Sequence, residues 1–134
     1  MQQILSSVTL TTDGDANISD VLTGLHRAQF ILVDLVIEDI GTSTTAVVLE
    51  MQSSNAVDGA KAPTRWSKVQ LGTHLLGVET LYTNAITKPS VAGNYSFAIP
   101  WRMWKACRFR ASTTAGSGGI ISLYASGAES PRGR

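Results

Sequence analysis

Residues 101–105 read Trp101-Arg102-Met103-Trp104-Lys105, and Arg108 and Arg110 follow at alternate positions. Trp, Met and Arg concentrate in the cores of protein interfaces, because they bring large contact area and, for Trp and Arg, a directed polar group. Trp101, Arg102, Trp104, Arg108 and Arg110 are therefore the candidate interface residues. The same Trp side chains would serve equally well as caps on the end of a hydrophobic core. Nucleic acid would use these residues differently, with aromatics on bases and Arg102, Lys105, Arg108 and Arg110 on phosphates. The cations are spread over several strands and follow no nucleic-acid-binding motif, which argues against that use. A sugar ring stacked on Trp66, Trp101 or Trp104 is the corresponding carbohydrate reading.

Other chemistry is weaker. Asp13, Asp15 and Asn17 place oxygen ligands at alternate positions, with Ser19 extending the series, as at the start of a calcium loop. The glycine needed at the sixth position is Ile18 and the bidentate glutamate needed at the twelfth is Gly24, so a polar turn is expected instead. Ser117 amid glycines lies between two strands with no helix start to aim at a phosphate, and reads as a turn tip. His26 and His74 have no ligand partners at metal spacing. No Gly-x-Ser-x-Gly elbow occurs. Cys107, the single cysteine, sits mid-strand as a small buried hydrophobe and has no partner for an internal disulfide. The residues thus predict a non-enzyme, with no cofactor and no metal site.

A length of 134 residues makes one domain large enough to bury a core. Only 16% of residues are charged, and Ser, Thr and Gly fill the difference, a mixture that suits strands and turns. The charges are polarised along the chain. Residues 1–60 carry eight acids and Arg27, whereas residues 61–134 carry ten Lys and Arg against Glu79 and Glu129. Such a split suits a nucleic-acid partner or opposite faces meeting on two copies of one chain. The N-terminus lacks a basic start followed by an apolar run, and the longest apolar stretch is broken by Asp34, so neither secretion nor a membrane partner is expected.

The elements follow from periodicity. Residues 4–12 are β-branched and Ser/Thr-rich and end in the Asp13-Gly14 turn signal. Residues 18–25 predict a short turn or loop. Residues 29–38 are the best central strand, with Ile31, Val33, Leu35 and Ile37 on one unbroken apolar face and Asp34 and Glu38 on the other. Residues 46–52 alternate as a half-buried strand. Residues 53–64 have no apolar period and predict a long exposed loop. Further strands are expected at 65–71, 77–83 and 95–99, the last ended by Pro100. Residues 105–112 and 120–126, joined around Gly116–Gly119, read as a β-hairpin with Cys107 and Phe109 inward and Arg108 and Arg110 outward. About eight short strands with little helix predict an all-β antiparallel sandwich, jelly-roll-like, over residues 1–134. Residues 1–12 would be an N-terminal arm or edge strand and 127–134 a flexible tail.

The order of signals from residue 18 to 125 resembles the small β-sandwich virion proteins of tailed bacteriophages. The resemblance is carried by Leu22-Thr23-Gly24-Leu25 before an apolar strand, and by Gln52-Ser53-Ser54, Asp58-Gly59 and Trp66. It continues through Gly93-Asn94-Tyr95-Ser96-Phe97-Ala98-Ile99-Pro100, Arg108-Phe109-Arg110 and the glycine-rich turn into Tyr124. The loop before Trp66 is longer than the pattern, and the Trp101–Trp104 cluster departs from it. The resemblance implies a capsid decoration or cement protein that binds and stabilises the major capsid protein shell. It would be a homotrimer, assembled in the host cytoplasm and carried on the virion surface. A neck, tail or baseplate protein is the alternative, followed by a nucleic-acid- or carbohydrate-binding module. In this setting the outward Arg108 and Arg110 are expected to meet acidic turns, such as Asp13, Asp15 and Asp20 or Glu38 and Asp39, of an adjacent copy or capsid subunit.

Overall fold

A computed structural model describes residues 1–23, 25, 27–41, 46–57, 63–69, 71–72, 82–83, 85–89, 91–100, 105–116 and 118–129. The protein is an all-β sandwich. Sheet A runs in the order β1 (Gln2–Thr9), β10 (Ile120–Ala128), β2 (Phe30–Asp39), β8 (Gly93–Pro100), every pair antiparallel. Sheet B is built on β3 (Ala46–Val57), which pairs along one edge with β9 (Ala106–Thr113). A strand has only two edges, so its other partners share the remaining one: β4 (Pro63–Lys68) lies against residues 52–57 and β7 (Ala85–Pro89) against residues 46–50.

This third line of sheet B is one strand interrupted by an excursion. Lys68 stands opposite Gln52, the Val69 amide donates to the Met51 carbonyl at 2.9 Å, and Ala85 resumes opposite Glu50. Between them β5 (Leu71–Gly72) and β6 (Tyr82–Thr83) form a short antiparallel ladder. A fourth, irregular line lies along the far edge of β9. Ile18 and Leu22 bridge to Arg110 and Cys107, and the amides of Ser19 and Leu22 donate to the Phe109 and Cys107 carbonyls at 2.8 Å each. Lettered B to I in chain order, the eight lines read B-I-D-G in one sheet and C-H-E-F in the other, which is the jelly-roll connectivity.

Alternation decides which side chains enter the core. Ile31, Val33, Leu35 and Ile37 of β2 are buried while Phe30, Leu32, Asp34 and Val36 are half-buried on the other face, as the period of two requires. Across the sandwich they meet Val47, Leu49 and Met51 of β3 and Cys107, Phe109 and Ala111 of β9 in a single cluster.

Three expectations are corrected. Residues 53–57 and 63–64 are strand, not exposed loop: β3 runs to Val57, β4 starts at Pro63, and Ser53 and Ser54 are buried, while residues 58–62 of the expected loop lie outside the described residues. Their strand is invisible to an apolar period because Ser and Ala occupy it. Residues 105–112 and 120–126 are not a hairpin, since β9 pairs with β3 and β10 with β1 and β2. Gly116 and Gly118, with φ of 77° and 91°, turn the chain from one sheet to the other, in a region of φ where a side chain would be strained. The two apolar strands face each other across the core instead of lying side by side. Residues 127 and 128 continue β10 and are not tail, while residues 130–134 of the expected tail lie outside the described residues. Residues 2–9 realise the edge-strand reading of the N-terminus, and β7 was not anticipated. Of the strand expected at 77–83, Tyr82–Thr83 alone are described. No helix among the described residues is long and apolar enough to cross a membrane.

Candidate functional site

The outer face of sheet B gathers the polar chemistry of the described residues. Register places Arg110 opposite Glu50 and Arg108 opposite Gln52, while Lys68 flanks Gln52 from β4. Glu50 is the hub. Its side chain is only 14% exposed, and it takes Arg110 Nη1 at 2.7 Å, Lys68 Nζ at 3.2 Å and the Gln52 amide at 3.3 Å. Arg110 also reaches Asp15 at 2.7 Å. Asp15 belongs to a 3₁₀ turn, Gly14–Ala16, capped by the Asp13 carboxylate, which accepts from the Asp15 amide at 2.9 Å. The turn passes close to the guanidinium: a Cβ at position 14 would lie 3.1 Å from Arg110 Nη2. The bond to Glu50, above all, holds the Arg110 pKa above its ordinary value.

Arg108 is held differently. Its guanidinium lies 4.2 Å from the centre of the Trp66 ring, and its Nε donates to Gln52 Oε1 at 2.8 Å. Burial and, secondarily, the neighbouring Arg110 charge lower its pKa. Among the described residues no carboxylate forms an ion pair with it.

Arg108 and Arg110 share the outer face as expected, but the acidic turn that Arg110 meets belongs to its own chain. Trp101, Arg102 and Trp104 lie outside the described residues, as do His26, His74 and Ser117. Lys105 is exposed, and its amide donates to Asn55 Oδ1 at 3.0 Å. Cys107 and Phe109 are fully buried, and burial pushes the Cys107 thiol up to about 12. The sequence marks Asp15 as an acidic turn residue but not Glu50 or Gln52 as its companions, because nothing local marks Glu50 as the cross-strand partner of a residue sixty positions away.

A separate cleft of about 500 Å³ opens at one end of the sandwich, between Met1, the segment around Leu22 and Leu25, and the end of β10 at Ala128. Arg27 and Glu129 line it with mostly apolar neighbours, and no His, Cys or Asp is among its described lining residues. Among the described residues no three His, Cys, Asp or Glu side chains converge as a cation cage. Comparison of the chain with known protein families, curated proteins and solved structures finds no match.

Proposed function

We propose that this chain is a non-enzymatic structural protein of a phage virion, a decoration or cement protein that binds the major capsid protein shell as a homotrimer. The supporting observation is the coincidence of sequence order with strand order. The apolar segment after Leu25 is β2, Gly93 to Pro100 is β8, Arg108-Phe109-Arg110 lies in β9, and the segment ending at Tyr124 lies in β10. These strands occupy jelly-roll positions, an architecture that viral capsid domains use alongside lectins and cupins. Fold alone is shared by many functions, so the sequence order carries the choice among them.

On this reading the protein works by area and charge complementarity repeated over many copies, with no turnover. The test is to add the purified chain to empty shells of the parent virus that lack it. Saturable binding by a trimer and a higher shell unfolding temperature are expected. A monomer that does not bind the shells would overturn the proposal.

A further inference from the structure

The fold converts the charge polarity of the sequence into a polarity of sheets. Strands β1, β2, β8 and β10 carry Asp34, Glu38 and Asp39 and no cation. Strands β3, β4, β7 and β9 of sheet B carry Arg65, Lys68, Lys88, Arg108 and Arg110 against Glu50, and the irregular line beside β9 adds Asp20, so sheet B remains net basic. The sandwich therefore has an acidic side and a basic side.

Each side has a focal group. On sheet B it is Arg108, stacked on Trp66 and pinned through Nε by Gln52, so little side-chain freedom remains to be lost on binding. A guanidinium has five N–H donors, and those on its Nη atoms suit a two-oxygen carboxylate. Glu50 and Asp15 offset much of the surrounding positive charge, so the ground fits one carboxylate better than the continuous phosphate backbone of a nucleic acid. On sheet A the outer face of β2 is apolar around Asp34, with Glu38 at its end held by Ser7 and Ser122. Phe30, Leu32 and Val36 are half-buried there, with Ala98 and Pro100 beside them on β8. A strand apolar on both faces is the pattern of one covered on both sides, yet sheet B covers only the inner face. At the centre Asp34 accepts Ser96 Oγ through Oδ1 at 2.6 Å, and Oδ2 accepts from no described residue.

Sheet A docked on another sheet A would bring Asp34 toward Asp34, and sheet B on sheet B would oppose two Arg108 side chains. Only A on B sets opposite charges together. We propose that the outer face of sheet A docks on the outer face of sheet B of a second copy, with Asp34 of one chain received by the Arg108–Trp66 pair of the next. The two faces lie on opposite sides of the sandwich, so the contact is heterologous. Because the two faces look in opposite directions, successive copies continue as a stack and do not close into a ring of three, so this contact is separate from the trimer of the proposed function. The contact requires no particular place in a virion.

Sedimentation velocity of the full chain, from micromolar to millimolar and at low and high salt, tests it. The expected result is self-association that weakens with salt. Arg108→Glu or Asp34→Lys alone should weaken it by more than about tenfold, and the double variant should recover most of the loss. Circular dichroism checks folding, and Arg108→Gln with Asp34→Asn serves if either reversal fails to fold. A chain monomeric throughout, single variants that associate like the parent, or a double variant without recovery would overturn the contact. So would retardation of an oligonucleotide that depends on Arg108 in a chain that never self-associates, which would make sheet B a nucleic-acid face. Shell binding by a monomer would sink this contact and spare the shell-binding part of the proposed function; self-association without shell binding would do the reverse.

Discussion

Arg108 and Arg110 are two residues apart on one strand face, yet their surroundings give them different work. Arg110 joins Glu50, whose side chain is 14% exposed, to Asp15, whose side chain is 74% exposed. Removing the cation strands a mostly buried carboxylate with only Lys68 and Gln52, whereas neutralising Asp15 takes away an exposed carboxylate and leaves Arg110 paired with Glu50. In urea unfolding Arg110→Ala should therefore cost about 1–3 kcal/mol, and Asp15→Asn less than about 1 kcal/mol. Equal costs would show that Glu50 does not anchor the face. Cys107, on the same strand but facing the core, supplies a pH signature. Its thiol pKa rises from 9.0 to about 12 because burial disfavours the thiolate. Below pH 9 both states keep the proton, so no penalty exists; above it the unfolded chain releases the proton while the folded chain does not, and stability falls until the folded thiol also ionises. Relative to Cys107→Ala, the parent protein should lose about 1 kcal/mol between pH 8 and pH 10, measured by urea unfolding at each pH.

At the scale of elements, the edges of sheet A are shaped by local irregularity. In β1 the register against β10 slips between Gln3 and Leu5 and again between Leu5 and Val8, and Ser7 takes a left-handed φ of 45°. Such bulges twist an edge strand and blunt it against unwanted pairing. Ser7 is tied down there: its amide donates to Ser122 Oγ at 3.0 Å, and its hydroxyl donates to Glu38 at 2.9 Å. Ser122 Oγ in turn donates to Glu38 at 2.7 Å, so one carboxylate fixes three neighbouring strands. The opposite end of β10 depends on an absence of side chain. A Cβ on Gly127 would sit 2.8 Å from Leu25 Cδ2 and 2.9 Å from the Ala28 Cβ. Ala28 is held by its amide's bond to the Leu25 carbonyl at 3.0 Å, and the next residue by the Gln29 amide's bond to the Ala128 carbonyl at 2.9 Å, so the segment has little room to withdraw. Gly127→Ala should cost about 1–3 kcal/mol through overpacking, read as a lower urea midpoint with an unchanged slope. A midpoint equal to the parent's would show that the segment 25–28 gives way freely.

Over the whole molecule, jelly-roll winding sends alternate parts of the chain to opposite sheets. Interleaving of this kind can scramble a charge gradient, but here β8 and β10, drawn from the basic half of the sequence, carry no charged residue at all. Sheet A consequently keeps only the acids of β2, while the basic residues of β4, β7 and β9 collect on sheet B. Association of copies and binding to a shell both belong to this scale. Each draws on a charge separation that no single strand possesses, and each should weaken with salt.

The sequence alone determined the fold class, the central place of residues 30–37, the inward Cys107 and Phe109, and the shared face of Arg108 and Arg110, because a period of two fixes which side chains point together. It also determined the opposite charge of the two halves. Tertiary structure decided which strands pair. Register between distant segments brought Glu50 to Arg110 and Gln52 to Arg108, sent β9 and β10 to opposite sheets, and continued β4 into β7 across an excursion. It turned the serine-rich residues beyond Gln52 into buried strand, where backbone pairing supplies what apolar side chains do not. Local pattern reports the face of each strand; only closure of the core reports its neighbour, because pairing is chosen by contacts between residues far apart in the chain.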